Sequence, residues 1–269
     1  MDASIRAYTL HDLKKRECYL RQDCVVFRKT KEAFGGLSNM AAGYPIEVIG
    51  RKLFTSEALY QCCRYPHKPE VQEEIAKAHS PMHAKMISKR YRHLSRKDWE
   101  DEVVIQGELS QVRIEFMRWC LLLKLVNTEE NFERFGQLLL DTGSKDIVEE
   151  SIRDDFWGAK PREDGLLEGS NALGKLLMEL RDALRNGFFS EPHIIDLPAS
   201  IKVHEGSEFR LFGVSVEPII FEPKSRGQKV QVTEIPQADT YRTSESGSKG
   251  KKSGAKITEQ LVLWDEGSE

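Results

Sequence analysis

The chain predicts an α+β fold that is predominantly helical with a small β component. Two observations carry this prediction. Residues typical of helix N-termini open several long central segments, and the strand patterns between them are short. The helix-opening residues are Ser80-Pro81, Thr128-Glu129-Glu130 and Asn171, the last followed by a leucine stripe at helical spacing.

The first elements are predicted from local patterns. Val25–Phe27 is apolar and β-branched, which favours a short strand, and Ile46–Phe54 predicts a hairpin that turns near Gly50. Ser56 is expected to cap the next helix, because serine is a preferred N-cap residue.

The later elements follow the same logic. Asp98 is expected to cap an amphipathic helix that carries Val103 and Ile114, and the helix opened by Thr128 should end at Gly143. Residues 146–151 predict a short strand that leads into an acidic loop. Asn171 is a natural N-cap for the leucine-rich helix.

Composition narrows the class of protein. The chain has 269 residues, 39% of them hydrophobic, which suffices for one large domain with appendages. The net charge of −3 gives no global attraction to nucleic acid, so such binding would need a local basic patch. Five cysteines without metal-binding spacing indicate reduced thiols. Because no apolar run reaches membrane-spanning length, we expect a cytoplasmic protein that does not bind membranes.

Four regions are predicted along the chain. Residues 1–24 are an N-terminal extension, residues 25–188 the main domain, residues 189–222 a small appendage that could be β, and residues 223–269 a flexible basic tail. The tail is rich in Ser, Gly, Lys and Gln, and such a segment buries too little apolar surface to offset its ordering entropy.

One helix face is a candidate site. Glu57, Tyr60, Gln61 and Arg64 follow the spacing i, i+3, i+4 and i+7, so they share one face. A carboxylate, a phenol, an amide and a guanidinium would be an unusual group to point into a core. The alternative is an ordinary solvated helix face.

The acidic loop is the second candidate. Asp154, Asp155, Trp157 and Gly158 place two carboxylates, an aromatic platform and a flexible backbone position before a helix that opens at Asn171. Acids, a stacking ring and a helix N-terminus suit a sugar-phosphate or nucleotide. The alternatives are that Trp157 packs in the core and that Asn171 only caps its helix.

These motifs resemble the NADAR (YbiA-like) N-glycosidase family. The resemblance covers about three fifths of the chain, in four separated motifs. They are Phe34-Gly35-Gly36-Leu37-Ser38-Asn39-Met40, Thr55-Ser56-Glu57-Ala58-Leu59-Tyr60-Gln61, Ser80-Pro81-Met82, and the helix from Asn171 to near Leu184. It implies a NADAR/YbiA-like α+β domain and an N-glycosidase linked to NAD and ADP-ribose chemistry.

The resemblance also implies roles for individual residues. N-glycoside cleavage passes through an oxocarbenium-like sugar, which needs a carboxylate and an activated water. Glu57 is the first choice for that carboxylate and Asp155 the second, while Asp154 could be only a loop acid. No metal or cofactor is expected. The expected substrate-binding residues are Ser38, Asn39, Tyr60, Gln61, Lys85, Trp157, Gly158 and Asn171.

Three functions stay open at this point. The favoured one removes ADP-ribose from modified guanine in nucleic acid. The second hydrolyses a ribosylamino-pyrimidine intermediate of riboflavin synthesis, and the third is an ADP-ribose-binding module without catalysis. The basic tail favours a nucleic-acid substrate over a small metabolite.

The C-terminal tip resembles a partner-binding peptide. Gln260, Leu261, Leu263 and Trp264 follow the bacterial sliding-clamp pattern Gln-Leu-x-Leu-Phe, with Trp264 in the final aromatic place. We therefore expect the DNA sliding clamp as a partner. The alternative is a terminal strand or helix that docks on this protein itself.

Overall fold

The computed structural model describes residues 5–223 and confirms the α+β class, with 42% of the structure helical and 21% in strands. The α-helices in this range are α1 (Leu10–Lys14), α2 (Ser56–Cys62), α3 (Pro69–Ala76), α4 (Pro81–Arg90), α5 (Val112–Val126), α6 (Glu129–Leu140), α7 (Ala172–Arg185) and α8 (Ala199–Lys202).

The strands are short and more numerous than the predicted small β component. In the described range they are β1 (Glu17–Tyr19), β2 (Cys24–Phe27), β3 (Ile46–Val48), β4 (Arg51–Leu53), β5 (Glu102–Ile105), β6 (Glu108–Gln111), β7 (Asp146–Glu149), β8 (Lys160–Pro161), β9 (Leu167–Gly169), β10 (His193–Ile195), β11 (Val203–His204), β12 (Ser207–Glu208), β13 (Arg210–Leu211), β14 (Val214–Ser215) and β15 (Ile219–Phe221).

One strand pair matters most for the site. β2 and β7 run parallel, with Cys24 opposite Asp146 and Phe27 opposite Glu149. The other pairs between these strands are antiparallel, including the three-stranded sheet in the order β1-β9-β8. Because ligands in sheet proteins often bind at the carboxyl ends of parallel strands, the position of Glu149 at the end of β7 is notable.

The core lies around α5. Of its fifteen residues, only Arg113 is not buried, because the helix packs against α2 and α6 and contributes Phe116, Trp119 and Leu123. The amphipathic helix α7 lies with one face on β7 and another on α6. Of the five leucines predicted as a core stripe, four are buried and Leu184 is half-buried; the buried ones are Leu173, Leu176, Leu177 and Leu180.

Several local predictions are confirmed. Val25–Phe27 lies in β2, and β3 and β4 form the expected hairpin, in which Gly50 has a φ of 63°. Ser80 and Thr128 cap α4 and α6, each accepting a hydrogen bond from the backbone N–H three residues on.

Two predictions are wrong. The cap of α2 is Thr55, whose hydroxyl accepts from the N–H of Ala58, so Ser56 is the first helical residue. Asp98 caps no long helix, because Val103 lies in β5 of a hairpin and the helix begins only at Val112. The hairpin turns at Gln106-Gly107, where both φ angles are positive, as a two-residue turn requires.

The predicted extension and appendage are part of the same compact unit as the main domain. β1 pairs with β9, and Arg6 forms a buried ion pair with Glu115 on α5. Residues 189–222 do contain strands, and Phe209 and Leu211 belong to the main core.

The predicted tail and the clamp-like tip, with Gln260, Leu261, Leu263 and Trp264, lie outside the described residues. Within residues 5–223, we found no helix with the length and apolar character that a membrane crossing requires.

Asn171 joins α7 to β7. It occupies the N-cap position in the left-handed conformation, with φ 51° and ψ 41°, yet its side chain does not cap its own helix. Instead, the Asn171 Oδ1 accepts from the N–H of Glu149 at 3.1 Å, and its Nδ2 donates to the carbonyl of Ile147 at 2.8 Å. The expectation of a side-chain cap is therefore corrected: this amide holds the end of β7.

We expect Asn171→Ala to lower the free energy of unfolding by about 3 kcal/mol. The variant leaves a buried N–H and a buried carbonyl without partners and puts alanine in a left-handed conformation. Urea denaturation measures the loss. The control Asn186→Ala changes an exposed asparagine at the other end of α7, and an equal loss in both variants would contradict the assigned role.

Candidate active site

A buried lysine supports the start of α2. Lys124 of α5 is fully buried, and its Nζ donates to the carbonyls of Gly36 at 2.6 Å and Ser38 at 3.0 Å. Burial lowers its pKa to about 7. The loop held in this way lies directly against the N-terminus of α2.

Ser38 and Asn39 build this contact. Both are buried, and the carbonyl of Asn39 accepts from the N–H of Glu57 at 3.1 Å. The Ser56 hydroxyl donates to the Asn39 side chain at 3.0 Å, while the Ser38 hydroxyl accepts from the N–H of Met40. The two residues predicted to bind substrate therefore position the α2 helix in this structure.

Glu57 is a buried carboxylate that is positioned by contacts from two helices. It is only 4% exposed, in the first turn of α2, where the helix dipole favours a negative charge. Gln61 donates to Glu57 Oε1 at 2.8 Å, and the Lys85 Nζ of α4 lies 3.6 Å from the same oxygen. Three of the predicted residues, from two helices, thus meet around one carboxyl group.

Glu149 is a second acid of the site, half-buried, that was not among the predicted residues. Its pKa is raised from 4.5 to about 7, first by burial and then by the negative charges of Glu57 and Asp154, while Lys85 opposes the shift. Glu149 therefore lies within electrostatic reach of Glu57, at the carboxyl end of β7. Near neutral pH, this carboxyl group holds its proton about half of the time.

The two adjacent aspartates of the loop face different surroundings. Asp154 Oδ1 accepts from the N–H groups of Phe156 and Trp157 at 3.0 and 2.8 Å, and its charge acts on Glu149. Asp155 forms ion pairs with Arg16 at 2.8 Å and Lys160 at 3.2 Å.

The electrostatic surroundings of the two aspartates therefore differ. Hydrogen bonds from Arg16 and Lys160 lower the pKa of Asp155 to about 2, and its side chain is 38% exposed. The charge of Asp154 instead acts on Glu149. The catalytic role of Asp155 stays a prediction.

Aromatic contacts join the loop to α2. The Tyr60 ring lies edge-on to Trp157 at 6.0 Å and tilted against Trp99 at 5.1 Å. Burial raises the pKa of Tyr60 well above its ordinary value, so its hydroxyl stays protonated. Trp157 is half-buried and packs at the edge of the core, which leaves part of its ring available to a ligand. Arg64 departs from the predicted cluster, since its guanidinium lies over Trp99 at 5.1 Å.

Gly158 serves the fold. A Cβ at this position would lie 2.5 Å from the carbonyl oxygen of Glu149, so only glycine lets the loop return along β7. Gly158 also accepts from the N–H of Asn171 at 3.1 Å. The close approach that Gly158 permits in this structure is one of the chain to itself, and Gly158 and Asn171 support Glu149 from behind. Ligand binding at Gly158 stays a prediction.

Glu149 and Lys124 are the residues that sequence reasoning missed. Glu149 had a usable signal, because an acid that ends a buried strand just before an acidic loop lies where parallel strands present ligand-binding groups. Lys124 had none, since a lysine in an apolar helix is as consistent with a solvated position as with burial.

The site brings together two acids in different surroundings. Glu57 is hydrogen-bonded by an amide and lies near an ammonium group, while Glu149 keeps a proton to higher pH. Such pairs are typical of sites that perform acid and base chemistry together. Within the described residues, no cluster of His, Cys, Asp or Glu could hold a metal ion.

Comparison with known proteins identifies the family. The model described as "NADAR domain" matches residues 26–185, more than half of the chain. The chain belongs to the NADAR domain family. This NADAR chain is 33% identical over 167 residues to the N-glycosidase YbiA of Escherichia coli (strain K12), covering 62% of the chain and 92% of that protein.

Two further relatives and one structure are similar. The riboflavin biosynthesis protein VVA0006 of Vibrio vulnificus (strain YJ016) is 28% identical over 65% of the NADAR chain and 44% of its own length. The N-glycosidase Npun_R5314 of Nostoc punctiforme is 27% identical over 60% and 93%. The NMR structure of E. coli YbiA is 32% identical, covers 65% of this chain and 93% of its own, and has a TM-score of 0.49.

We expect Glu57→Gln to lower the pKa of Glu149, because it removes a neighbouring negative charge. Carbon NMR titration of the glutamate carboxyl groups measures both values. The wild-type group should titrate near pH 7 and the variant's lower. The exposed Glu133→Gln is the control and should leave Glu149 unchanged.

The raised pKa of Glu149 predicts that the free energy of unfolding depends on pH. Its folded pKa of about 7 exceeds its ordinary value of 4.5. The stability that wild type has relative to Glu149→Gln should thus be full below about pH 4.5 and be lost as the pH rises through about 7. Urea denaturation at several pH values measures the difference, and a difference independent of pH would contradict the raised pKa.

Proposed function

We propose that this protein is an N-glycosidase that hydrolyses the bond between ADP-ribose and a nucleobase. The observation that carries the proposal is the pair of acids formed by the buried Glu57 and the half-buried Glu149, whose surroundings differ in the way that acid–base catalysis needs. The E. coli and Nostoc relatives are both named N-glycosidases, which supports this reaction class.

The proposed mechanism gives each acid one task. The Glu57 carboxylate orients a water molecule and takes its proton as the water oxygen bonds to the anomeric carbon. Glu149, in its protonated form, gives its proton to the base nitrogen as the glycosidic bond breaks. Asp154 supplies negative charge near the oxocarbenium-like sugar.

The remaining residues bind and orient. Lys85 holds the Glu57 carboxylate at 3.6 Å, and its half-exposed side chain can also reach a substrate phosphate. The exposed part of Trp157 offers a ring to the base or ribose, and Tyr60 supports that ring from behind. Gln61 donates a hydrogen bond to Glu57 Oε1 and so fixes the orientation of this carboxyl group.

The proposed substrate is guanine in nucleic acid that carries ADP-ribose, so that the enzyme reverses ADP-ribosylation. A second candidate is a ribosylamino-pyrimidine intermediate of riboflavin synthesis. The observation that favours it is the relative named for riboflavin biosynthesis, although the match covers 44% of that protein. Both substrates present a ribosyl–nitrogen bond to the same acids.

Direct turnover assays test the proposal. Guanine-ADP-ribosylated oligonucleotide and the ribosylamino-pyrimidine are offered separately. Mass spectrometry detects free ADP-ribose and the unmodified strand from the first substrate, and the separated pyrimidine and sugar from the second. Glu57→Gln should lower the rate at least ~100-fold, as loss of a general base does, while ADP-ribose binding by calorimetry is retained. A variant that keeps more than about a tenth of the wild-type rate would place the base elsewhere.

Each outcome assigns a function. Cleavage of the oligonucleotide supports the proposal, and cleavage of the pyrimidine alone supports the second candidate. Cleavage of neither, with ADP-ribose still bound, would overturn the enzyme assignment in favour of a binding module.

The adjacent aspartates give a matched pair of variants. We expect Asp154→Asn to lower turnover at least ~10-fold, because it removes the charge next to Glu149. Asp155→Asn should change turnover less than about threefold, because it breaks only exposed ion pairs. Steady-state kinetics with both proteins at equal folded fraction measures the difference, and the reverse order would restore Asp155 as the catalytic acid.

We also propose that the tip brings the enzyme to the DNA sliding clamp through Gln260, Leu261, Leu263 and Trp264. A peptide of residues 256–266 should bind the clamp of the host, and Gln260→Ala with Leu263→Ala should remove that binding without changing turnover on free substrate. A wild-type peptide without affinity at tens of micromolar, roughly −6 kcal/mol, would end the proposal.

A further inference from the structure

The segment from Lys77 to Lys97 is a basic region in an acidic chain. Its 21 residues contain four lysines, three arginines and no Asp or Glu, whereas the whole chain has a net charge of −3. Helix α4 forms its centre. Such a local concentration of positive charge is the pattern that attracts a polyanion even when net charge does not.

Part of this charge has no ionic partner among the described residues. Arg90, Arg96 and Lys97 form ion pairs with Glu74, Asp98 and Glu205. Lys77, Lys89 and Arg92 are exposed and form no ion pair within residues 5–223. These three cations are therefore available to a ligand.

The same face of α4 borders the acids of the site. Met82, Lys85, Met86 and Lys89 follow the spacing i, i+3, i+4 and i+7, so they share one side of the helix. Lys85 reaches Glu57 from this side. Met82 and Met86 are 58% and 62% exposed, so the side of α4 that carries Lys85 also exposes apolar surface.

Exposed apolar side chains also mark the other elements of the site. Phe54, three residues before Glu57, is 61% exposed, and Ile152, two residues before Asp154, is 60% exposed. Of the eleven large hydrophobic residues exposed in residues 5–223, four therefore lie within three residues of the charged groups of the site. A small metabolite enclosed by the acids would leave these four exposed apolar side chains without a binding role.

We propose that the exposed face of α4 is a docking surface for the single-stranded nucleic acid on either side of the modified base. This rests on the proposed function and extends it to the substrate's flanking nucleotides. Lys89 on this face and Arg92, which opens the 3₁₀ turn Arg92–Leu94 after the end of α4, contact phosphates, while Met82 and Met86 contact the faces of unstacked bases. Flexible methionines suit this task, because they adapt to bases of any sequence.

A single strand is the occupant that this surface fits. Cations next to exposed apolar groups match a chain of alternating phosphates and accessible bases, as in other single-strand binders. In a duplex the base faces are stacked and closed to Met82 and Met86. The substrate base must also leave its stack to reach the two acids of the site, which a single strand permits at lower cost.

Charge reversal at the surface tests the proposal. Lys89→Glu with Arg92→Glu should lower kcat/KM on a modified single-stranded 12-mer at least tenfold, with less than a twofold change on the ADP-ribosylated mononucleoside. Binding to the unmodified 12-mer is measured by fluorescence anisotropy at several salt concentrations. The slope of log K against log salt concentration should become less steep by about 1.4, because each of the two lost phosphate contacts contributes about 0.7 to it.

Two controls accompany this variant. Lys145→Glu with Arg185→Glu makes the same change in charge near the far end of α7 and should alter neither substrate's kinetics. Met82→Ala with Met86→Ala should weaken binding of the 12-mer severalfold and leave its salt dependence unchanged, because these side chains carry no charge.

The outcomes separate this proposal from the proposed function. If wild type cleaves both substrates and the charge reversal affects them equally, the docking surface is wrong and the function stands. If wild type cleaves neither but binds the 12-mer, and the reversal removes this binding, the docking surface stands and the function is wrong. Equal binding of a duplex 12-mer would overturn the preference for single strands.

Discussion

The approach of α7 to the end of β7 is the constraint on which the site depends. Asn171 uses its side chain on Ile147 and Glu149, in a left-handed conformation that asparagine tolerates better than most residues. The acidic loop must then return through the same space, which Gly158 permits because it has no Cβ. The carboxyl end of β7 is thereby fixed, and with it the position of Glu149. Substrate-facing chemistry here depends on residues that need not touch the substrate.

The opposite half of the site has its own support. Lys124 is buried under the loop of Gly36 and Ser38, and the next residue, Asn39, accepts the N–H of Glu57. Burying an ammonium group is unfavourable unless its donors are satisfied, and here two carbonyls and the faces of Tyr44 and Phe135 surround it. The two groups of residues that hold Glu149 and Glu57 in place lie in different parts of the sequence. They meet where the Glu57 charge acts on Glu149 and where Tyr60 packs against Trp157.

The sequence predicted most of what local chemistry decides, although the caps expected at Ser56 and Asp98 were wrong, and it missed what distant residues decide. The caps at Ser80 and Thr128, the hairpin at Gly50 and the strand of β2 all depend on neighbouring residues, and they are confirmed. The surroundings of Asp154 and Asp155 could not be predicted from neighbouring residues. Adjacent residues of an extended segment point in opposite directions, but the direction of each depends on Arg16, 139 residues away from Asp155. Glu149 was missed for a similar reason, since its raised pKa comes from burial and from Glu57 on another element.

Under the proposed mechanism, one Coulombic interaction serves both acids. While Glu57 is ionised and ready to accept a proton from water, its charge helps Glu149 to keep the proton that the base nitrogen will need. When Glu57 takes the proton from water, that charge is neutralised, and the pKa of Glu149 falls. Proton uptake at one acid therefore makes proton release at the other easier. Lys85 moderates the effect, because it lies beside Glu57 and opposes the raised pKa of Glu149. The closeness of the two acids, which is unfavourable for folding above neutral pH, is thus the feature that links the two proton transfers.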